Sequence, residues 1–329
     1  MDKFERKSGI SRVLRADAEV FQDLYHDILD NNLTRSYEVA KSPEWIEALG
    51  QINSFLREFV SEYGGEFIEV PAKNIHVISR QDLPSSASDK AQEFGGLYNP
   101  ESQAIFIFVD SSYSNLKAAI RVVHELLHFN SFQSLQNASK GGKFHFERDE
   151  DEDDEKELVI LGPRRIGFEI FSEKKNKVFF YNLNEAITEE LIKRFDKRYF
   201  SRLTLTKREY GERELKRSEI PGKRTEGGDH EIPADDLAVA RDFKTKNGPP
   251  IKLREGYGYS EEREKLNALI REIYVKNSES FSSEEDVFKI FAEAVMTGRL
   301  LKVARIIEKT FGKGNFRQLG INTSADMTE

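Results

Sequence analysis

The 329-residue chain has no cysteine, one tryptophan, three methionines and six histidines. The lack of cysteine excludes disulfides and leaves any metal site without thiolate ligands. No apolar run approaches the roughly eighteen residues that span a bilayer. The opening MDKFERKSGISRVLRADAEVF also lacks the apolar core, about seven residues long, of a secretory signal, so the expected location is cytoplasmic. A formal charge of −8 and a pI near 5.5 provide no general attraction to nucleic acid or to an anionic membrane. Charged residues make up 33% of the chain and hydrophobic ones 38%, a balance that suits many exposed helices and loops. The length admits about two domain-sized units, and no repeat of fixed period runs through it.

Against that background, the spacing His124-Glu125-Leu126-Leu127-His128 stands out, inside a stretch, 116–136, that reads as one helix. Two histidines four apart on a helix are offset by about 40° and rise about 6 Å, so both imidazoles can reach one metal ion. Glu125 projects beside them, placed to take a proton from a metal-bound water. The plainer alternative is a pair of half-buried histidines on an amphipathic helix. A second segment, Leu183-Asn184-Glu185-Ala186-Ile187-Thr188-Glu189-Glu190-Leu191, also reads as helical. Catalytic zinc commonly takes three protein ligands and leaves a position for water, and Glu185 is the candidate third donor. Glu189, one turn further on the same face, is placed to accept the other ring N–H of a metal-bound histidine. An ordinary solvated helix carboxylate is the alternative for Glu185.

Together the two motifs resemble the thermolysin-like gluzincins, in which HExxH is followed by a helix bearing NExxSD or a close variant. The resemblance spans roughly residues 95–195. It implies an α+β fold with a zincin-like metalloprotease core, a small mixed sheet plus active-site helices, extended here by N- and C-terminal helical regions. It also implies Zn2+ held by His124, His128 and Glu185, Glu125 as general base, and Glu189 orienting His124. Thr188 stands where serine is usual, and Glu189 is one methylene longer than the usual aspartate. Glu185 follows His128 by 57 positions, further than is common in the family, so the chain between them must leave and return. Residues 167–172 and 177–182 read as two strands joined by the turn Glu173-Lys174-Lys175-Asn176, which makes that return.

For the oxyanion, the resemblance implies a histidine or tyrosine from later in the chain, and Tyr257, Tyr259 and His230 are the candidates. The Gly256-Tyr257-Gly258-Tyr259 segment can swing a phenol over a cleft, or equally form a turn with a packed ring. The expected activity is zinc-dependent hydrolysis of a peptide or protein substrate lying in extended form along the sheet. The alternative is a non-catalytic zincin-fold binding or regulatory protein. An intact Glu125 favours the enzyme, because a scaffold has no need of the base. A regulator peptidase that cleaves a transcriptional repressor is a narrower form of the first reading, although no helix-turn-helix segment accompanies it.

Four parts emerge along the chain. Residues 1–65 read as helical, with helices at 16–29 and 43–63, the second stopped by Gly64-Gly65. The core, 66–200, opens with a strand at 74–79, and a hairpin begins at 95–98. That hairpin turns at Asn99-Pro100-Glu101-Ser102 into a strand at 103–109, and a helix start follows at Asp110 and the serines after it. Residues 201–255, with Gly227-Gly228 and Pro249-Pro250, read as an irregular charged excursion. Residues 256–329 read as helical, at 259–276, at 284–297 with a Ser282/Glu285 capping box, and between Gly298 and Gly312. The acidic run 149–155 reads as a solvated loop within a mobile excursion, about 143–157, and not as a calcium site. Gly312-Lys313-Gly314 reads as a helix stop, and His26, His76 and His145 as surface or structural histidines.

Overall fold

A computed structural model describes residues 10–11, 38–82, 95–99, 104–109, 114–137, 144–146, 159–219, 225–227, 230–243 and 251–326. The fold is α+β. Helix α1 (Pro43–Glu62) begins where Ser42 Oγ accepts the Trp45 N–H and Pro43 fills a first-turn position that needs no donor. It buries Leu49, Ile52, Leu56, Phe59 and Val60 along one face and stops at Gly64, whose φ is +72°. Strand β2 (Ile75–Ser79) runs parallel to β4 (Ala104–Val109), and β3 (Gly96–Asn99) pairs antiparallel with β4's other side. Among the described residues β4 is therefore central and β3 is one of the two edge strands of this three-stranded sheet. His76, in β2, is buried with Nδ1 3.1 Å from a Glu38 carboxylate oxygen, a structural contact. Residues 16–29, His26, most of the turn after β3 and 110–113 lie outside the described residues.

Helix α2 (Asn115–Asn130) is shorter than the 116–136 expected from its pattern. Asn130 and Ser131 bend their side chains back onto the carbonyls of Leu126 and Leu127, satisfying the end of the helix. Residues beyond then leave as strand β5 (Gln133–Asn137), which pairs antiparallel with β7 (Val159–Ile166). Long-range pairing overrides local periodicity there. The larger sheet runs β1 (Ile10–Ser11), β5, β7, β8 (Glu169–Ser172), β9 (Lys177–Phe179) and β14 (Ala325–Asp326), with β6 (Phe144–Phe146) also on β7. Strands β8 and β9 are the pair expected to bring the chain back. Strand β6 places part of the stretch read as a mobile excursion in the sheet, whereas 149–155 and the His145 side chain lie outside the described residues.

The segment 201–255, read as irregular, holds helix α4 (Lys207–Ser218) and strands β10 (Thr225–Gly227), β11 (His230–Ile232), β12 (Leu237–Phe243) and β13 (Ile251–Gly256). Its charge had the look of solvation, yet Arg213 of α4 is fully buried. Its guanidinium donates to both carboxylate oxygens of Asp196, at 2.5 and 2.8 Å, and to the Ala238 carbonyl at 2.9 Å. Asp196 belongs to helix α3 (Tyr181–Tyr199), so this pair clamps the segment onto the core.

Helices α5 (Ser260–Lys276), α6 (Glu284–Thr297), α7 (Leu300–Phe311) and α8 (Asn315–Asn322) complete the described chain. The capping box of α6 uses Ser283 and Asp286, one residue later than expected, and Asp286 accepts the N–H groups of both Ser282 and Ser283. Gly312 and Gly314 form the expected stop and start α8, which the periodicity did not reveal. Among the described residues no helix is long and apolar enough to cross a membrane.

Breaking a buried ion pair leaves an uncompensated charge and costs about 3–5 kcal/mol. Asp196→Ala is expected to lower stability in urea by that amount, and Asp196→Leu combined with Arg213→Met by much less. Equal losses would show that the pair does not clamp α4 to α3.

Candidate metal centre

The site depends on where α2 is held. Its first turn is capped by Ser114, and Glu209 of α4 accepts from the Ser114 hydroxyl (2.5 Å) and from the Asn115 and Leu116 N–H groups (3.3 and 3.0 Å). A buried carboxylate thus answers the positive end of the helix dipole. Apolar residues cover α2 almost all round, from Leu116 to Phe129, so it lies inside, packed between β3–β4 and α3. Glu125 and His128 are buried, and His124 keeps 15% of its side chain exposed. Helix α3 in turn buries Glu185, Glu189, Glu190 and Asp196, and each buried carboxylate requires a partner.

The partners of Glu185 are the two histidines. His124 Nε2 and His128 Nε2 lie 3.0 Å apart, Glu185 Oε1 is 3.2 Å from His128 Nε2, and Oε2 is 3.4 Å from His124 Nε2. A tetrahedral ion with ligands at about 2.0–2.1 Å needs donor atoms about 3.3–3.4 Å from one another. The three donors match that spacing, so His124, His128 and Glu185 can hold a metal ion. His124 Nδ1–H donates to Glu189 Oε1 at 2.9 Å, which makes Nε2 the ring nitrogen directed at the centre. The other Glu189 oxygen accepts the Gly258 N–H at 3.1 Å. Glu190, the neighbouring acid, faces away toward the guanidinium groups of Arg194 (2.8 Å) and Arg263 (3.1 Å).

The electrostatics follow from this crowding. Burial would lower the pKa of both histidines, but the carboxylates around them outweigh it: Glu125, Glu185 and Glu189 hold His124 well above its ordinary value, and Glu185 chiefly raises His128. Burial likewise opposes ionisation of Glu185, yet His128 and His124 keep it well below the usual carboxylate range. Glu125 is raised by burial, which opposes its ionisation.

A fourth buried carboxylate, Glu169 of β8, is pushed up to about 7 by burial and by Glu185. Asn184 fixes it: its amide N–H donates to Glu169 Oε1 at 2.8 Å, and its oxygen accepts the Phe168 N–H at 2.9 Å. Sequence reasoning passed over Glu169, whose one signal is an acid set between Phe168 and Ile170 in an apolar strand.

A cleft of about 370 Å³ opens over His124 and Glu125, floored by α2 and walled by the start of β3 and by the β12–β13 hairpin. Glu125 lies so close to Gly96 that a Cβ there would sit 2.7 Å from its carboxylate oxygen. The oxyanion candidates separate. Tyr257 is buried and donates its hydroxyl to Asp196, within the α4 clamp, which takes it out of the role considered for it. Tyr259, at φ +50°, has its hydroxyl 3.3 Å from the hydroxyl of Tyr181, a residue the sequence did not single out. Burial and Glu185 push the Tyr259 pKa upward, so its proton stays available for donation. His230 has its backbone in β11, and its side chain lies outside the described residues. Comparison with protein-family models, curated proteins and solved structures found no match for the chain.

If Glu189 sets the orientation of His124, Glu189→Gln is expected to weaken zinc binding by about ten- to a hundredfold with an unchanged fold. Calorimetric titration of the variant with zinc, beside a circular dichroism spectrum, checks this. Unaltered affinity would remove Glu189 from the centre.

Proposed function

We propose that this protein is a zinc-dependent peptidase of gluzincin type, built on a zincin-like core. The observation that carries the reading is the convergence of two imidazole Nε2 atoms and one Glu185 carboxylate at tetrahedral spacing, with buried Glu125 beside them in a cleft. Zinc bound by His124, His128 and Glu185 would supply a Lewis acid and bring the pKa of a water toward about 7. Glu125 is the general base: it takes a proton from the attacking water and passes it to the leaving amine. Its raised pKa suits both halves of that task, because a carboxylate nearer neutrality both accepts and returns a proton readily.

Tyr259 is the donor to the oxyanion: it lines the cleft with His124 and Glu125, and its phenol keeps its proton. Strand β3 offers an edge to an extended peptide, whose backbone would pair with it alongside Glu125. Gly96 lets that strand approach the base, and Glu189 and Gly258 hold His124 in place.

Two expectations test the reading. Glu125→Gln should retain about one zinc per chain and lose hydrolysis of a proteome-derived peptide library, whereas His124→Ala with His128→Ala should lose the zinc as well. Zinc-loaded protein that cleaves nothing in the library would favour a non-catalytic zincin-fold scaffold instead. Gly96→Ala should keep the zinc and lower kcat by about tenfold or more, because the added methyl displaces Glu125 from its place. An unchanged kcat would separate Glu125 from the chemistry.

A further inference from the structure

Two helices supply the metal donors, His124 and His128 from α2 and Glu185 from α3, so the centre holds its spacing only while the two keep one register. Glu189 ties α3 to α2 at His124. Another tie lies by His128, in the two-residue turn Gly167-Phe168 that joins β7 to β8. The Gly167 N–H donates at 2.7 Å to the carbonyl of Phe132, which follows His128 just past the end of α2. The next N–H along, that of Phe168, donates at 2.9 Å to the side-chain oxygen of Asn184, the residue immediately before Glu185. One turn therefore grips both segments beside their metal ligands. Gly167 takes a φ of +54°, and a Cβ there would sit 2.5 Å from the Asn184 oxygen, so the grip needs glycine. Arg165 secures the turn from its far side, donating from Nε to the Gly167 carbonyl at 2.6 Å and from Nη1 to the Gly298 carbonyl, at the end of α6, at 2.8 Å.

The Asn184 amide is oriented by what it meets. A backbone N–H can only donate, so the amide oxygen faces Phe168, and the NH2 at the other end of the group requires an acceptor. Glu169 Oε1 provides it at 2.8 Å. Asn184 and Glu169 are both buried, so bulk water does not stand in for a lost partner. Glu169 itself is outside the converging set of His124, His128 and Glu185. We propose that Glu169, acting through Asn184, is a positioning residue that sets Glu185 at its spacing from His128. The inference rests on the zinc site of the peptidase reading and not on hydrolysis. Donor groups must be held to within about 0.5 Å for a metal to be bound in the intended geometry, and a turn bonded to both segments supplies that restraint. What position 169 must offer is a hydrogen-bond acceptor aimed at Asn184.

The test uses the full chain and three measurements that need no turnover: zinc affinity by competition with a chelator, the visible absorption of the cobalt(II)-loaded protein, which reports coordination geometry, and the urea stability of the metal-free protein. Glu169→Leu is expected to weaken zinc binding by about ten- to a hundredfold and to change the cobalt spectrum. Glu169→Gln keeps an acceptor oxygen for Asn184, so its zinc affinity and its cobalt spectrum should match wild type. Gly167→Ala, which pushes on the Asn184 oxygen without touching Glu169, should shift both readouts in the same direction as Glu169→Leu.

A merely structural Glu169 would behave differently. Glu169→Leu would then lower the urea stability of the metal-free chain while zinc affinity and cobalt spectrum stayed as in wild type, and that result overturns the proposal. So does a Glu169→Gln variant that loses as much zinc affinity as Glu169→Leu, because charge and not the bond to Asn184 would be what matters. If Glu169→Leu fails to fold, Gly167→Ala decides: weakened zinc binding with an altered cobalt spectrum supports positioning, and unchanged values reject it. A wild-type chain that binds neither zinc nor cobalt removes the metal centre itself and takes the proposal with it. Wild-type binding with indifferent variants removes the positioning role alone.

Discussion

Helix α3 buries four carboxylates, and the chain can close around them only if each meets a partner. Glu190 and Asp196 meet guanidinium groups, from Arg194 and Arg263 and from Arg213. Glu185 and Glu189 meet imidazoles. The chemical difference is large. A guanidinium stays charged at any physiological pH, so those pairs are closed and their role is to hold elements together. An imidazole, unlike a guanidinium, can give up its proton to a metal ion and then offers a lone pair, so the same carboxylates stand beside donors that can turn to a metal. One helix thus carries a mechanical half and a chemical half, divided by which cation faces each acid.

The arrangement at the chemical half is unfavourable on its own. Glu125, Glu169, Glu185 and Glu189 gather about two histidines in a desolvated interior, and the upward shifts of Glu125 and Glu169 register their mutual repulsion and burial. A divalent cation at the centre would neutralise the excess of negative charge. Further strain sits at Tyr259, a tyrosine in the left-handed backbone region, where a non-glycine residue costs roughly 1–3 kcal/mol. Its φ turns the chain sharply between Gly258, which binds Glu189, and α5, which delivers Arg263 to Glu190. The surrounding structure holds this geometry through the Arg213–Asp196 clamp and the Glu209 cap on α2, both supplied by the segment 201–255.

Much of this was legible before any coordinates. Helices α1, α3, α5, α6 and α7 and strands β2, β3, β4, β8 and β9 announce themselves through periodicity, caps and glycine stops, all of which act within a few residues. The misreadings share one cause, that long-range contacts decided the matter. Residues 131–136 continue a helical pattern but are drawn into a sheet by β7. Residues 201–255 have a solvated composition, yet Arg213 among them is buried on Asp196, an acid of α3. Glu169 and Tyr181 carry no motif at all, and they belong to the site only because β8 and the start of α3 are folded against α2.

The sequence by itself determined the local geometry of the centre. A four-residue spacing on a helix puts His124 beside His128 and Glu185 beside Glu189 as a matter of backbone pitch, whatever the rest of the chain does. Which acid would meet which imidazole was outside its reach. That Glu189 turns to His124 while Glu190 turns to arginines depends on the rotation of α3 against α2. That Tyr259 lines the cleft beside Tyr181 while Tyr257 is locked onto Asp196, and that β3 forms an edge beside Glu125, depend likewise on the packing of distant segments. Only the tertiary structure decided these points, because they are fixed by burial and pairing between residues tens of positions apart, and spacing along the chain carries no information about that register.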